Sequence, residues 1–162
     1  MASAPKHVLV DTNVIIEAHR TRCWRALVGH YQMDTVAKCL EECETGNRRR
    51  NTVVIDTALL KQELQPKAVT PAMILSLEQR IGGRVDLDPG EKELLAYAIT
   101  LQDCWVVTSP DKAAVRAGHF LGVMDQFVSL EELATSAGER PAMKEQYTNR
   151  WLSSFKTQVL LG

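Results

Sequence analysis

Val8-Leu9-Val10-Asp11-Thr12-Asn13 is an apolar run that stops at an acid and two small polar residues. Such a run reads as a short strand over about residues 7 to 11, with Asp11 set down where it ends. Far downstream, Cys104 to Thr108 reads as a buried strand and leads into Ser109-Pro110-Asp111, so a second acid stands at a similar break. A third, Glu91, follows Asp88-Pro89-Gly90 at the head of a helical pattern.

The segments between these breaks alternate in type. Trp24, Ala26, Leu27 and Val28 belong to a helical stretch after the first strand, and a short second strand is expected near 33 to 37. Residues 37 to 45 look helical and should end at Gly46, leaving Asn47 and the arginine run as an exposed loop. Thr52 to Ile55 is β-rich and fits either a strand or an extended connection. Helices follow over about 57 to 64 and over 70 to 81, the latter with Pro71 in its first turn and Gly82-Gly83 at its end. Leu94, Leu95, Ala98, Ile99 and Leu101 keep helical spacing from Asp88 onward. Ser109-Pro110 opens a helix to about 117, a weak strand is expected over 122 to 124, and a helix over 129 to 137. From Pro141, the residues Met143, Tyr147, Leu152, Phe155 and Val159 recur as one face of a helix would. Strands alternating with helices define an α/β chain, expected as a three-layer α/β/α sandwich around a mostly parallel sheet. The expectation is one domain over 1–162, with a short N-terminal tail over 1–5 and a helical extension over about 139–162.

Each acid has an ordinary structural explanation. Asp88-Pro89-Gly90-Glu91 matches a capping box, Ser109-Pro110-Asp111 a capped helix start, and Asp11 is positioned to cap the helix after the first strand. Their joint placement asks for more, because the C-terminal ends of parallel strands share one edge and ligands bind in the crevice there. Asp11 and Asp111 each follow a strand at that edge, and Glu91 lies on the same helix face as Leu94 and Ala98. Glu41-Glu42 offers a fourth acid after the second strand. Converging carboxylates repel unless a cation sits among them, and oxygen-only ligands point to Mg2+ or Mn2+. Val53-Val54-Ile55-Asp56-Thr57 is an internal control: it looks like the opening motif but has no Asn two residues after the acid, so Asp56 reads as a helix cap. Asn13, by contrast, can orient Asp11 or a water through its amide, and Thr12 and Thr108 add hydroxyls at the same edge.

Composition narrows the function. With 162 residues, 45% hydrophobic, 24% charged and a formal net charge of -1, the chain is not held to nucleic acid by overall charge. Local contact would fall to Arg48, Arg49 and Arg50 with Arg20, Arg22 and Arg25, although a solvated loop and helix face explains them equally well. No apolar run approaches the roughly 20 residues of a membrane span, so a soluble cytoplasmic protein with no membrane partner is expected. Cys23, Cys39, Cys43 and Cys104 show no zinc-type spacing and read as buried small apolar residues.

Together these residues resemble the PIN-domain nucleases. The likeness is carried by Val8 to Asn13, by Glu42 in Leu40-Glu41-Glu42-Cys43, by Asp88-Pro89-Gly90-Glu91 with Leu94-Leu95-Ala96, and by Val107-Thr108-Ser109-Pro110-Asp111, over about residues 6 to 125. The resemblance implies an acidic pocket holding one or two divalent ions and endoribonuclease cleavage of RNA by a metal-bound water. Carried across by position, Asp11, Glu42, Glu91 and Asp111 are the implied catalytic and metal-binding acids, with Asn13, Thr12, Thr108 and Ser109 in support. Many members are toxins of toxin/antitoxin pairs and many dimerise, so an antitoxin protein and a homodimer are the implied partners beside RNA.

The chain departs from the family at three points. Glu41 and Glu44 compete with Glu42 for the second acid position. Ser109 stands where members often carry another acid, which implies a weaker second metal position. The segments from Gly46 to Thr70 and from Pro141 exceed what a compact member requires. Two alternatives stay open: an inactive PIN-like RNA-binding or scaffold protein whose acids are only caps, and a phosphatase or phosphotransferase using Asp11 as nucleophile in a doubly wound sheet. The second is disfavoured by Asn13, where such enzymes carry another Asp.

Overall fold

The computed structural model describes residues 7–49 and 53–162, with side chains over 7–45 and 53–162. At its centre lie four parallel strands, β1 (His7–Val10), β2 (Met33–Val36), β3 (Gln65–Lys67) and β4 (Trp105–Thr108), in the order β3-β2-β1-β4. β1 has a neighbour on each side and Val8, Leu9 and Val10 are fully buried, which is why the opening run is apolar at successive positions rather than alternating. The pleat sends Leu9 to one face and Val8 and Val10 to the other, and each joins a separate core.

Nine helices cover the two faces among the described residues: α1 (Thr12–Arg20), α2 (Trp24–His30), α3 (Ala37–Arg49), α4 (Thr57–Glu63), α5 (Pro71–Ile81), α6 (Pro89–Ala98), α7 (Lys112–Leu121), α8 (Leu130–Ser136) and α9 (Asn149–Leu161). α5, α6, α7 and α9 pack with Leu9 and Val107, whereas α1, α2, α4 and α8 pack with Val8 and Val10. α3 serves both faces, giving Cys39 to the first core and Leu40 and Cys43 to the second. The molecule is thus the expected three-layer α/β/α sandwich with an all-parallel sheet.

Strand order decides where a site can form. The chain steps outward from β1 to β2 to β3 and then returns to place β4 on the other side of β1. The order reverses between β1 and β4, which opens a crevice beyond their C-terminal ends. Val10 pairs with Thr108, so Asp11 and Ser109 leave the sheet side by side. Thr35 fixes the same edge by donating its hydroxyl proton to the Val10 carbonyl at 2.8 Å.

Several elements differ from the sequence expectations. α3 runs through Gly46 to Arg49, because a glycine inside a helix is tolerated at a modest cost, about 1 kcal/mol relative to Ala. Arg48 and Arg49 therefore close a helix instead of forming a loop, while Arg50 and Thr52 lie outside the described residues, as does the tail over 1–5. Val53 to Ile55 is a connection without regular structure, with Val54 almost wholly in solvent. In place of a strand over 122 to 124 there is a 3-10 turn, Met124–Gln126, after which Phe127 makes a single parallel bridge to Val107. The terminal helix begins at Asn149, behind a one-turn 3-10 segment at Glu145–Tyr147, so Met143 and Tyr147 are not on its face. Leu152 and Phe155 are buried against their own chain. Tyr147 donates its hydroxyl proton to the Asn13 carbonyl at 3.3 Å, and the Lys144 N–H donates to Glu17 at 2.8 Å, strapping this segment onto α1. Cys104 is exposed just before β4, unlike the buried Cys23, Cys39 and Cys43. No helix among the described residues is long and apolar enough to cross a membrane.

Candidate metal centre

Three helix N-termini meet at the crevice, and each is capped by an aspartate. Asp11 caps α1, its Oδ1 accepting the Val14 N–H at 2.9 Å. Asp88 caps α6 by accepting the Glu91 N–H at 2.9 Å, and Asp111 caps α7 by accepting the Ala113 N–H at 2.7 Å. In every case the cap engages Oδ1, which leaves the second oxygen for other work. The positive ends of the three helix dipoles also converge here and offset part of the negative charge.

One carboxylate oxygen from each of Asp88, Glu91 and Asp111 lies within 4.8 Å of the others, close enough for the three to hold one metal ion. Asp11 stands beside them. Its Oδ2 accepts the Ser109 hydroxyl proton at 2.9 Å, and the same Ser109 oxygen accepts the Asp111 N–H at 3.2 Å. Ser109 therefore ties the end of β1 to the start of α7.

Burial sets the protonation of this group. Asp11, almost wholly buried, is pushed up to about 7 by loss of hydration, opposed by its bonds from Val14 and Ser109 and reinforced by the charges of Asp111 and Asp88. Glu91, only 5% exposed, is pushed up to about 10, first by burial, then by its hydrogen bond with Asp111 and the charges of Asp111, Asp88 and Asp11. At neutral pH Glu91 thus keeps a proton and donates it to Asp111. Capping does not explain this arrangement, since the return bond from the Asp88 N–H to Glu91 is long, at 3.4 Å, and a neutral glutamine would serve it as well.

A pH dependence follows with a definite sign. Both groups have folded values above their unfolded ones, 3.8 for Asp11 and 4.5 for Glu91, so the folded protein holds protons that the unfolded chain releases. Stability of the metal-free protein is therefore lost as pH rises, through about 7 for Asp11 and on toward about 10 for Glu91, at up to about 1.4 kcal/mol per pH unit for each group. Urea midpoints measured in a chelator should fall between pH 5 and pH 8. A midpoint that is flat or rising over that window would contradict the placement of these carboxyls.

Glu42 is half-buried on the other side of the α6 N-terminus. It accepts the Thr12 hydroxyl proton at 2.8 Å, and its carboxylate packs against Gly90 so closely that a Cβ there would come within 2.8 Å of Oε2. Gly90 is what lets the carboxylate come so close. Glu41 instead pairs with Lys38 and Glu44 with Lys61, so of the three neighbours Glu42 alone turns toward Thr12 and Gly90. Thr108 is buried at the end of β4, and Asn13 is engaged through its carbonyl by Tyr147.

The structure therefore gathers Glu91 and Asp111, sets Asp11 next to them, and holds Glu42 across α6 with Thr12. Asp88 joins the cluster although sequence reasoning treated it only as a cap. The signal was present: a capping box brings its first and fourth residues into contact, so two acids in those positions place two carboxylates together. Arg20 is taken up by a two-pronged pairing with Glu17 at 2.6 and 2.8 Å. A second buried polar group joins β1 and β2, where His7 Nδ1 and Asp34 Oδ2 are 2.6 Å apart; Asp34 Oδ1 accepts no hydrogen bond among the described residues and lies 4.0 Å from Lys67 Nζ.

In comparisons with known proteins, no family model and no curated protein matches this chain.

Proposed function

We propose that the chain is a PIN-type endoribonuclease dependent on Mg2+ or Mn2+. The observation that carries this reading is the convergence of Asp88, Glu91 and Asp111, with Asp11 beside them, at the crevice between β1 and β4. The donor set suits such an ion: it offers only carboxylate oxygens, and burial together with the neighbouring Asp111, Asp88 and Asp11 pushes the Glu91 carboxyl up to about 10, a penalty that a bound cation would relieve. Asp88, Glu91 and Asp111 would hold the ion, with Asp11 adjoining and Glu42 at the margin. When bound, such an ion makes water a better nucleophile and neutralises charge on a phosphoryl oxygen. The chain's own part is to fix the acids: Ser109 locks Asp11 to Asp111, and Thr12 holds Glu42.

The rival reading, a scaffold with capping acids, is favoured by the fact that Asp11, Asp88 and Asp111 all do cap helices. A cleavage assay separates the two. With Mn2+, wild-type protein should cut a labelled single-stranded RNA. Asp11→Asn should cut it roughly 10- to 100-fold more slowly while remaining folded, since Asn also caps helices well. Equal cleavage by both, or none with any divalent ion, would overturn the proposal. A toxin role, an antitoxin partner and a homodimer rest on the family resemblance alone.

A further inference from the structure

Arg20, Arg22 and Arg25 belong to α1, α2 and the turn between them, and α7 carries a basic stripe of its own. Lys112, Arg116 and His119 are exposed at spacings of four and three, and so share one helix face leading away from Asp111. Helix stability does not account for Lys112, because a cation in the first turn opposes the dipole. Neither it nor Arg116 nor Arg150 comes within ion-pair distance of an acid among the described residues. Three unneutralised cations on one side of a chain with net charge -1 amount to a local positive field.

The stripe forms one wall of a groove whose other wall is α9. One hollow of about 230 Å³ lies among Lys112, Arg150, Trp151, Ser154, Phe155 and Gln158, with Glu145 the one acid on its rim. A second, of about 510 Å³, lies among Arg116, His119, Phe120, Phe155, Gln158 and Val159. They share Phe155 and Gln158 and so run together. Aromatic faces line this path: Trp151 stacks on Phe155 with centroids 5.7 Å apart, Lys112 Nζ sits 5.6 Å from the Phe155 centroid, and the Arg84 guanidinium lies 4.3 Å over the half-exposed Phe120 ring. Cations that follow a backbone, interleaved with flat rings and with hydroxyl and amide groups, are the equipment by which proteins hold single-stranded nucleic acid without reading its sequence. An acidic peptide would use the cations but gain little from the rings.

We propose that the α7/α9 groove binds single-stranded RNA, with Lys112 and Arg116 on phosphates and the Trp151 and Phe120 rings against bases. The choice of RNA rests on the ribonuclease reading. Binding of a fluorescein-labelled 12-nucleotide oligouridine, followed by anisotropy in EDTA between 50 and 200 mM salt, tests the groove independently of metal and cleavage. Wild-type protein should bind, and Lys112→Gln/Arg116→Gln should bind at least about tenfold more weakly. The slope of log K against log salt should flatten by about 1.4, the effect of two lost phosphate contacts on a single strand. Arg20→Gln, which removes a cation already paired with Glu17, should leave both values unchanged. No binding by wild type, or an unchanged affinity and slope in the double variant, would overturn the proposal. Equal displacement of the probe by poly-glutamate and by unlabelled RNA would also overturn it and assign the groove to an acidic protein segment. Intact binding without cleavage in Mn2+ would count against the nuclease reading and leave the groove standing.

Discussion

Glu91→Gln should make the metal-free protein more stable at pH 8 and at the same time remove its stabilisation by Mn2+. Wild-type Glu91 is buried, with its carboxyl pushed up to about 10, so at pH 8 folding draws a proton onto a group that the unfolded chain leaves ionised. Gln is neutral, has nearly the same shape and still offers an oxygen to the Asp88 N–H, so the cap survives while the proton uptake disappears. For the wild type, Mn2+ at a hundredfold excess over Kd adds about 2.7 kcal/mol, or about 5 to 11 °C in Tm for a chain of this size. Melting curves with and without Mn2+ at pH 8 measure both effects. A variant that melts lower than wild type in EDTA, or that keeps the full Mn2+ shift, would contradict the assignment of Glu91.

Phe127→Ala should cost about 3–5 kcal/mol of stability, the largest loss expected from a single core truncation here. Phe127 is 1% exposed and lies under α7, where Gly118 leaves room for it: a Cβ on Gly118 would come within 2.5 Å of the ring. With no side chain at Gly118 to move into the space, truncation leaves a cavity. The residue also bridges to Val107 of β4, so its ring and backbone together seat α7, and with it Asp111, against the sheet. Urea unfolding gives the loss directly, and Gly118→Ala in the Phe127→Ala background should restore part of it. A loss under 1 kcal/mol would mean that α7 is held by something other than this contact.

The fold was legible wherever one chain segment carries its own signal. β1 and β4 announce themselves as short apolar runs because they are buried on both faces, and the caps at Asp56 and Asp88 mark the starts of α4 and α6, as Pro71 in the first turn marks that of α5. β3 gave no such signal: Gln65-Pro66-Lys67 is a largely exposed edge strand, where a proline is tolerated and no apolar run is needed. The start of α7 was misplaced by two residues because Ser109-Pro110 resembles a cap, whereas the serine is occupied by Asp11 and the cap is Asp111. Val53-Val54-Ile55 has the composition of a strand but no partner strand to pair with it among the described residues.

The site was legible in its parts and less so in its assembly. Asp11, Glu91 and Asp111 could be picked out by where they fall relative to strands and helix starts. Ser109 bonding to Asp11 and Thr12 bonding to Glu42 span 98 and 30 residues, so they depend on strand register and helix docking that no local pattern contains. The His7–Asp34 pair was invisible for the same reason, since only the β1–β2 pairing brings it together. Asp88 is the opposite case: its role as a cap was so well signalled that its second oxygen was overlooked. The stripe on α7 was missed because Lys112, Arg116 and His119 are not adjacent in sequence, unlike the Arg48 to Arg50 run.

Whether these carboxylates form a divalent-cation site is decided by a crystal structure in saturating Mn2+, with the ion located by its anomalous scattering. The expected density shows an ion coordinated by Glu91 and Asp111, with Asp88 in the same shell and oxygen ligands at about 2.1 Å. A crevice without an anomalous peak, with Glu91 still hydrogen-bonded to Asp111, would contradict it.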